Sequence, residues 1–245
     1  MTLGSWLLYQ QARRLRCILP GECLICAQPT RRGIDLCRTC QRQLPRNLLA
    51  CSHCQEPLDR FSFQSIDGHC SRCHLHPPAY DQAWAFWRYQ PPLDQLLLRF
   101  KYQGDRNAGQ LFIDLMLNGL KHTSQQTPVD ALLCIPANPS RVRQRHLHAP
   151  TWLAKNLAAC MNRPFSPQGL ILTQRHPSQQ GLSQQDRWKN PKGAFRASST
   201  LTNRHLLLVD DVMTTGATLH WAAHALKQAG VASVTVTAPL RAAQT

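Results

Sequence analysis

Four Cys-x-x-Cys pairs crowd the first third of this chain: Cys23/Cys26, Cys37/Cys40, Cys51/Cys54 and Cys70/Cys73. A Cys-x-x-Cys turn sets two sulfurs on one side of a tight loop, and two such turns complete a tetrahedral set of four thiolates. Four pairs therefore make two closed metal sites. The opening residues carry no basic start, apolar stretch and small-residue cleavage site of a secretory signal. A reducing compartment is the expectation, which favours zinc over disulfides. Sequential pairing is the simplest, with Cys23, Cys26, Cys37 and Cys40 on one ion and Cys51, Cys54, Cys70 and Cys73 on the other. An interleaved cross-brace satisfies the same spacing. Either way, neither ion has an open position, so both zincs are read as structural, and metal must supply much of the folding energy of a segment poor in large apolar residues. His53, His69, His74 and His76 lie near the pairs as alternative ligands, behind the cysteines. Cys17 has no partner at this spacing, and Cys134 and Cys160 lie far from any pair; all three read as packed thiols.

Around this module the chain divides into three. Residues 1–16 are expected to form a short amphipathic helix, with Trp6, Leu7 and Leu15 on one face and Arg13, Arg14 and Arg16 nearby. Residues 17–76 are the double zinc ribbon. The stretch HPPAYDQ (76–82) breaks helix at Pro77 and Pro78 and reads as a linker into a domain spanning 77–245. No apolar run approaches the roughly 20 residues of a membrane-spanning helix.

The larger domain alternates strand and helix patterns. Strands are expected at Gln82–Tyr89, Val129–Ile135, Leu170–Thr173, Leu206–Val209 and Val231–Ala238. Helices are expected from Pro91 to the Gly104 stop, and over Leu111–Leu120, Thr151–Met161 and Gly216–Ala229. Residues 174–203 are polar and without periodicity. This alternation predicts an α/β fold with a doubly wound, mainly parallel sheet, preceded by the small zinc domain.

The strand at Leu206–Val209 runs directly into Asp210 and Asp211, then into the loop Met213–Thr218 and a helix start. An unbroken apolar strand suits the buried centre of a parallel sheet. Two carboxylates at its end stand at the carboxyl edge, where open α/β sheets bind ligands. The free N–H groups of the following helix suit a phosphate. Thr214, Thr215 and Thr218 add hydroxyls, and Gly216 lets backbone approach the ligand. A carboxylate that merely caps the helix belongs next to Gly216, not several residues upstream.

The stretch LLLVDDVMTTGAT resembles the binding motif for 5-phosphoribosyl-1-pyrophosphate (PRPP) of type I phosphoribosyltransferases. That resemblance implies ribose hydroxyls at Asp210 and Asp211, and the 5′-phosphate in the loop of Met213, Thr214, Thr215, Gly216, Ala217 and Thr218, with magnesium accompanying PRPP. Together with FKYQG (100–104), IPANPSRVRQR (135–145) and QQGLSQQDRWKNPKGAF (179–195), it makes the whole chain similar to the ComF family. The resemblance implies a cytoplasmic protein linked to competence or to external DNA as a nutrient, with the DNA-uptake machinery as a possible partner. The chain departs from the family's Arg-Gly-Phe-Asn with Arg145-His146-Leu147-His148.

The formal net charge of +15 is an argument about partners rather than fold. Between Arg141 and Arg204 stand eleven basic residues and a single acidic one, Asp186. Arg141, Arg143 and Arg145 follow a strand end, where related transferases hold pyrophosphate, and in an extended loop they project to one side. With Arg187, Lys189 and Lys192 they exceed what a pyrophosphate needs, and the surplus suits a single-stranded DNA backbone. Trp188 and Phe195 are candidates to stack on its bases. Two functions follow. One is a DNA-utilisation accessory protein binding PRPP or a related phosphorylated ligand together with single-stranded DNA. The other is an active phosphoribosyltransferase joining a nucleobase to PRPP; family resemblance adds a role in gluconate utilisation.

Overall fold

The apolar run ahead of the paired aspartates forms the centre of a parallel sheet. The computed structural model describes residues 21–30, 33–59, 68–121, 128–137, 147–173 and 191–243. The expected amphipathic helix at 1–16 and Cys17 lie outside them. The zinc module contains strands β1 (Gly21–Glu22) and β2 (Pro29–Thr30) and helices α1 (Arg38–Gln43) and α2 (Ser71–Leu75). Then come β3 (Gln82–Trp84), β4 (Trp87–Arg88), α3 (Leu93–Leu98), a π-helical turn (Arg99–Gln103), α4 (Arg106–Leu120), β5 (Ala131–Cys134) and α5 (Ala149–Met161). The chain finishes with β6 (Leu170–Leu172), β7 (Phe195–Ala197), a 3-10 turn (Ser199–Leu201), β8 (His205–Val209), α6 (Ala217–Gln228), β9 (Ser233–Thr237) and β10 (Leu240–Arg241).

The main sheet has the order β3-β9-β8-β5, and all its pairings are parallel. Alternate residues of β5 and β8 enter different cores. Leu206 and Leu208 join Ala131, Leu133, Val234 and Val236 against Leu219, Ala222, Ala223 and Leu226 of α6. Leu207 and Val209 join Leu132 and Cys134 against Leu111, Phe112 and Leu115 of α4 and Leu153 and Leu157 of α5. Burial on both faces is why the strand lacks alternation. Each buried leucine contributes about 2 kcal/mol. The zinc module spans both layers: Cys23, Leu36, Cys40 and Leu44 belong to the α4/α5 core, and Cys51, Cys54, Cys70 and Cys73 to the α6 core.

Four differences from the sequence expectation have local causes. The single strand expected at 82–89 is two. β3 pairs with β9 and β4 with β10, and the break between them turns carbonyls toward the zinc module. There Asn47 donates its backbone N–H to Phe86 O (2.9 Å) and its Nδ2 to Ala85 O (3.2 Å). The helix expected from Leu111 starts at Arg106, because Asp105 accepts the N–H groups of Asn107 (3.0 Å) and Ala108 (3.1 Å). Within the polar stretch, Phe195–Ala197 pairs antiparallel with Leu170–Leu172, and Phe195 packs against the α6 core. Phe195 is therefore a packing residue rather than a free stacking platform. Last, β10 follows β9 and extends the parallel arrangement to β4.

The 76–82 segment is anchored along its length. Tyr80 is 2% exposed, and His53 Nε2 lies 2.8 Å from its carbonyl. Ala79 donates its N–H to His220 Nδ1 (3.1 Å). Asp81 accepts from Val234 N (2.6 Å) and pairs with Lys227 (2.8 Å).

Candidate functional site

Strand β8 stays hydrogen-bonded past its last residue, because the Asp210 N–H bonds Thr237 O at 2.9 Å. The two aspartates are thereby fixed at the sheet's carboxyl edge. The Asp211 N–H then turns back to Asp210 Oδ1 (2.8 Å). Asp210 is half-buried and Asp211 buried. Met213 bonds Leu240 O through its N–H (3.0 Å) and is 1% exposed, so the loop is pinned at its start. Gly216 closes it in the left-handed region at φ 76°, a conformation that costs a side-chain-bearing residue strain. Helix α6 begins at Ala217 with no side-chain cap from either aspartate. Instead Thr215 Oγ1 accepts the Ala217 N–H at 3.3 Å. Thr214 is exposed, Thr215 buried and Thr218 half-buried. Acid pair and open helix start thus face the same edge, one loop apart.

Ile135 donates its N–H to Val209 O at 3.0 Å, so the chain leaves β5 beside Asp210. Arg141, Arg143, Arg145, Arg187, Lys189 and Trp188 lie outside the described residues. Lys192 is described, and its ammonium stands 5.8 Å from the centre of the Trp221 ring on α6. Cys134, next to Asp210, has its thiol pushed up by burial, with Asp210 adding to the shift, and its Sγ lies 3.4 Å from Thr151 Oγ1. It is a packed thiol, as its position implied.

Three cations that the sequence had not marked complete the site. Lys101, in the π-helical turn that carries FKYQG, places its ammonium 2.9 Å from Asp211 Oδ2. Arg72 donates to Thr215 O at 2.8 Å. Arg241 is fully buried, bonds the carbonyls of Met213, Thr214 and Ala242, and pairs with Glu56. The Lys101 signal was present in the motif itself. Arg72 lies inside a Cys-x-x-Cys pair, where the spacing signals metal ligands only, and no pattern around Arg241 marks a buried charge.

The cysteines resolve the pairing left open by spacing. One set is Cys23, Cys26, Cys37 and Cys40, the other Cys51, Cys54, Cys70 and Cys73; within each, all ligand atoms lie within 4.8 Å of one another. Cys26 and Cys37 Sγ are 3.7 Å apart, as are Cys54 and Cys70 Sγ. Tetrahedral thiolates around zinc at about 2.3 Å stand about 3.8 Å apart. The fit to zinc is therefore close, in two sequential sites. Cys37 and Cys70 also cap α1 and α2, accepting the N–H of Cys40 and Cys73 at 3.4 Å each. His53 and His69 face Tyr80 O and Ser52 Oγ and belong to neither set.

Residues 14–74 match the double zinc ribbon domain family, and residues 153–245 the phosphoribosyl transferase domain family. Competence protein F of Haemophilus influenzae is 30% identical over 209 residues, covering 82% of this chain and 88% of that protein. The DNA utilization protein YhgH of Escherichia coli strain K12 is 27% identical over 222 residues, covering 89% and 96%. Among solved structures, adenine phosphoribosyltransferase from Saccharomyces cerevisiae aligns over 58% of this chain and 72% of that one, at 12% identity and a TM-score of 0.38. Both domain families occur in order along the chain, and the alignment to competence protein F runs through both; the protein belongs to the competence protein F (ComF) family.

Proposed function

We propose that this protein is an accessory factor in the cytoplasmic use of external DNA, binding PRPP or a closely related phosphorylated ligand at the sheet edge and single-stranded DNA along its basic segment. The observation that carries the ligand reading is the placement of Asp210 and Asp211 at the end of β8, one loop before the start of α6, which neither aspartate caps. Carboxylates accept hydrogen bonds from ribose hydroxyls, and a helix start with free N–H groups favours a phosphate. On this reading Asp210 and Asp211 hold ribose, and Met213, Thr214, Thr215, Gly216, Ala217 and Thr218 line the 5′-phosphate. Magnesium accompanies the pyrophosphate. Arg141, Arg143, Arg145, Arg187, Lys189 and Lys192 meet pyrophosphate or DNA. Residues 17–76 form the zinc module and residues 77–245 the ligand-binding domain. The names of the relatives, competence protein F and DNA utilization protein, support the DNA context and make DNA-uptake machinery the expected partner.

Calorimetric titration with PRPP and magnesium tests the site. Wild type should bind, and the Asp210→Asn, Asp211→Asn double variant should lose at least about tenfold in affinity through two weakened charge-assisted contacts. Equal affinity would remove the ribose assignment. Turnover of any member of a nucleobase panel by the wild type would replace the accessory reading with a transferase.

A further inference from the structure

A loop that aims its N–H groups at a phosphate must leave the opposite ends of the same peptide groups to other donors. The carbonyls of Met213, Thr214 and Thr215 share peptide groups with the N–H groups of Thr214, Thr215 and Gly216. Those three N–H groups form no hydrogen bond among the described residues. All three carbonyls, by contrast, are taken by guanidinium groups: Arg241 Nη1 reaches Met213 O (3.0 Å) and Thr214 O, and Arg72 Nη1 reaches Thr215 O (2.8 Å).

Both arginines are tied to the second zinc site. Arg72 lies between the ligands Cys70 and Cys73, and its Nη2 stands 3.8 Å from Cys54 Sγ. Arg241 Nε donates to Cys54 O (3.2 Å), and its Nη2 pairs with Glu56. Four thiolates outweigh a zinc dication, so the filled site is anionic and holds Arg72 in place. Tyr80 completes this back wall: a Cβ on Gly216 would lie 3.4 Å from its hydroxyl. The first zinc site packs with the opposite face of the sheet.

We propose that Arg72 and Arg241 are positioning residues that make the second zinc ribbon the back wall of the phosphate loop, so that the loop's affinity for a phosphorylated ligand depends on that zinc site being filled and not on the first. This rests on the phosphate reading of the loop. A guanidinium on a carbonyl polarises the peptide group and strengthens its N–H as a donor to an anion. It also removes the freedom of the loop to turn its amides away. Neither arginine touches the ligand.

The test uses the full chain with metal analysis, calorimetry with PRPP and with ribose 5-phosphate, and NMR order parameters of the Thr214, Thr215 and Gly216 amides. Arg72→Met should keep about two zinc ions per chain yet bind both ligands at least about tenfold more weakly. Arg72→Lys, which returns a cationic donor, should recover part of that loss. Cys70→Ser should lower the three order parameters below about 0.6, while Cys26→Ser leaves them near wild type. Wild-type affinity in a zinc-replete Arg72→Met protein, or equal order parameters in the two cysteine variants, would overturn the coupling. If wild type binds neither ligand, the phosphate reading falls, and the order parameters still decide whether the second ribbon governs the loop.

Discussion

Lys101 Nζ stands 2.9 Å from Asp211 Oδ2, and both side chains are only 11% exposed. A helical turn far from β8 in sequence therefore neutralises half of the aspartate pair. This eases the repulsion of two adjacent carboxylates at a strand end: Asp211 is paired with Lys101, and Asp210 accepts the Asp211 N–H at 2.8 Å. Removing one partner of so shielded a pair leaves the other charge without compensation. Lys101→Met should cost about 2 kcal/mol in urea unfolding, and so should Asp211→Asn. The double variant should cost less than the sum, with a coupling of about 1 kcal/mol or more. Additive effects would show that the pair is not formed in solution.

Gly216→Ala should cost about 1–2 kcal/mol, since φ 76° is a left-handed conformation that a Cβ disfavours. For a domain of this size that lowers the melting temperature by about 3–6 °C. The cost is backbone strain, because the Tyr80 hydroxyl at 3.4 Å is within ordinary contact. PRPP affinity should fall with it, as the loop amides rotate. A substitution neutral in both assays would mean the loop does not need its left-handed turn.

Most of this architecture was legible because its signals are local. Apolar runs, the acid pair and the Thr/Gly loop lie consecutively between Leu206 and Leu219, and four Cys-x-x-Cys pairs announce two metal sites. What stayed hidden depends on residues remote in sequence. Spacing permitted two cysteine pairings, and only the three-dimensional approach of Cys26 to Cys37 and of Cys54 to Cys70 separates them. Strand β10 has two residues and exists because β4 offers it a parallel partner. Arg241 looks like a surface charge in the tail, yet it is fully buried, because Glu56 compensates it and loop carbonyls accept its protons. No pattern within the tail encodes those partners.

Single-stranded DNA binding should weaken steeply with salt. Each phosphate neutralised on a single strand contributes about 0.7 to the slope of log affinity against log salt. Replacing Arg141, Arg143 and Arg145 together by Gln should therefore reduce that slope by roughly 2. Filter binding of a labelled oligonucleotide across a salt series measures it. An unchanged slope would move the DNA surface away from this segment.

Zinc content should be about two ions per chain by metal analysis. Because the ribbon cysteines pack into the cores of the larger domain, removal of both ions should loosen the side-chain packing that adjoins the ribbons. Near-ultraviolet circular dichroism should lose the signal of Trp84 and Trp87, which pack in the same core as Cys23 and Cys40. Retention of that signal after both ions are removed would show that the larger domain holds its core without metal.

His220 gives the junction between the 76–82 segment and α6 a dependence on pH. Burial is the main cause that lowers its pKa to about 4, with His224 and Arg72 adding to the shift. The neutral ring is needed, because Nδ1 accepts the Ala79 N–H at 3.1 Å. In the unfolded chain histidine titrates near 6.5. Between about pH 6.5 and 4 the unfolded chain therefore binds a proton that the folded protein refuses, and unfolding becomes easier as pH falls. The stabilisation is complete above about pH 6.5 and drains away on the acid side toward pH 4. Zinc thiolates also protonate in acid, so the measurement is a difference: His220→Asn, whose Oδ1 can replace Nδ1 as acceptor, should show a shallower loss of stability over this window than wild type. Parallel stability curves for the two proteins between pH 6.5 and 4 would show that His220 is not held neutral at this junction.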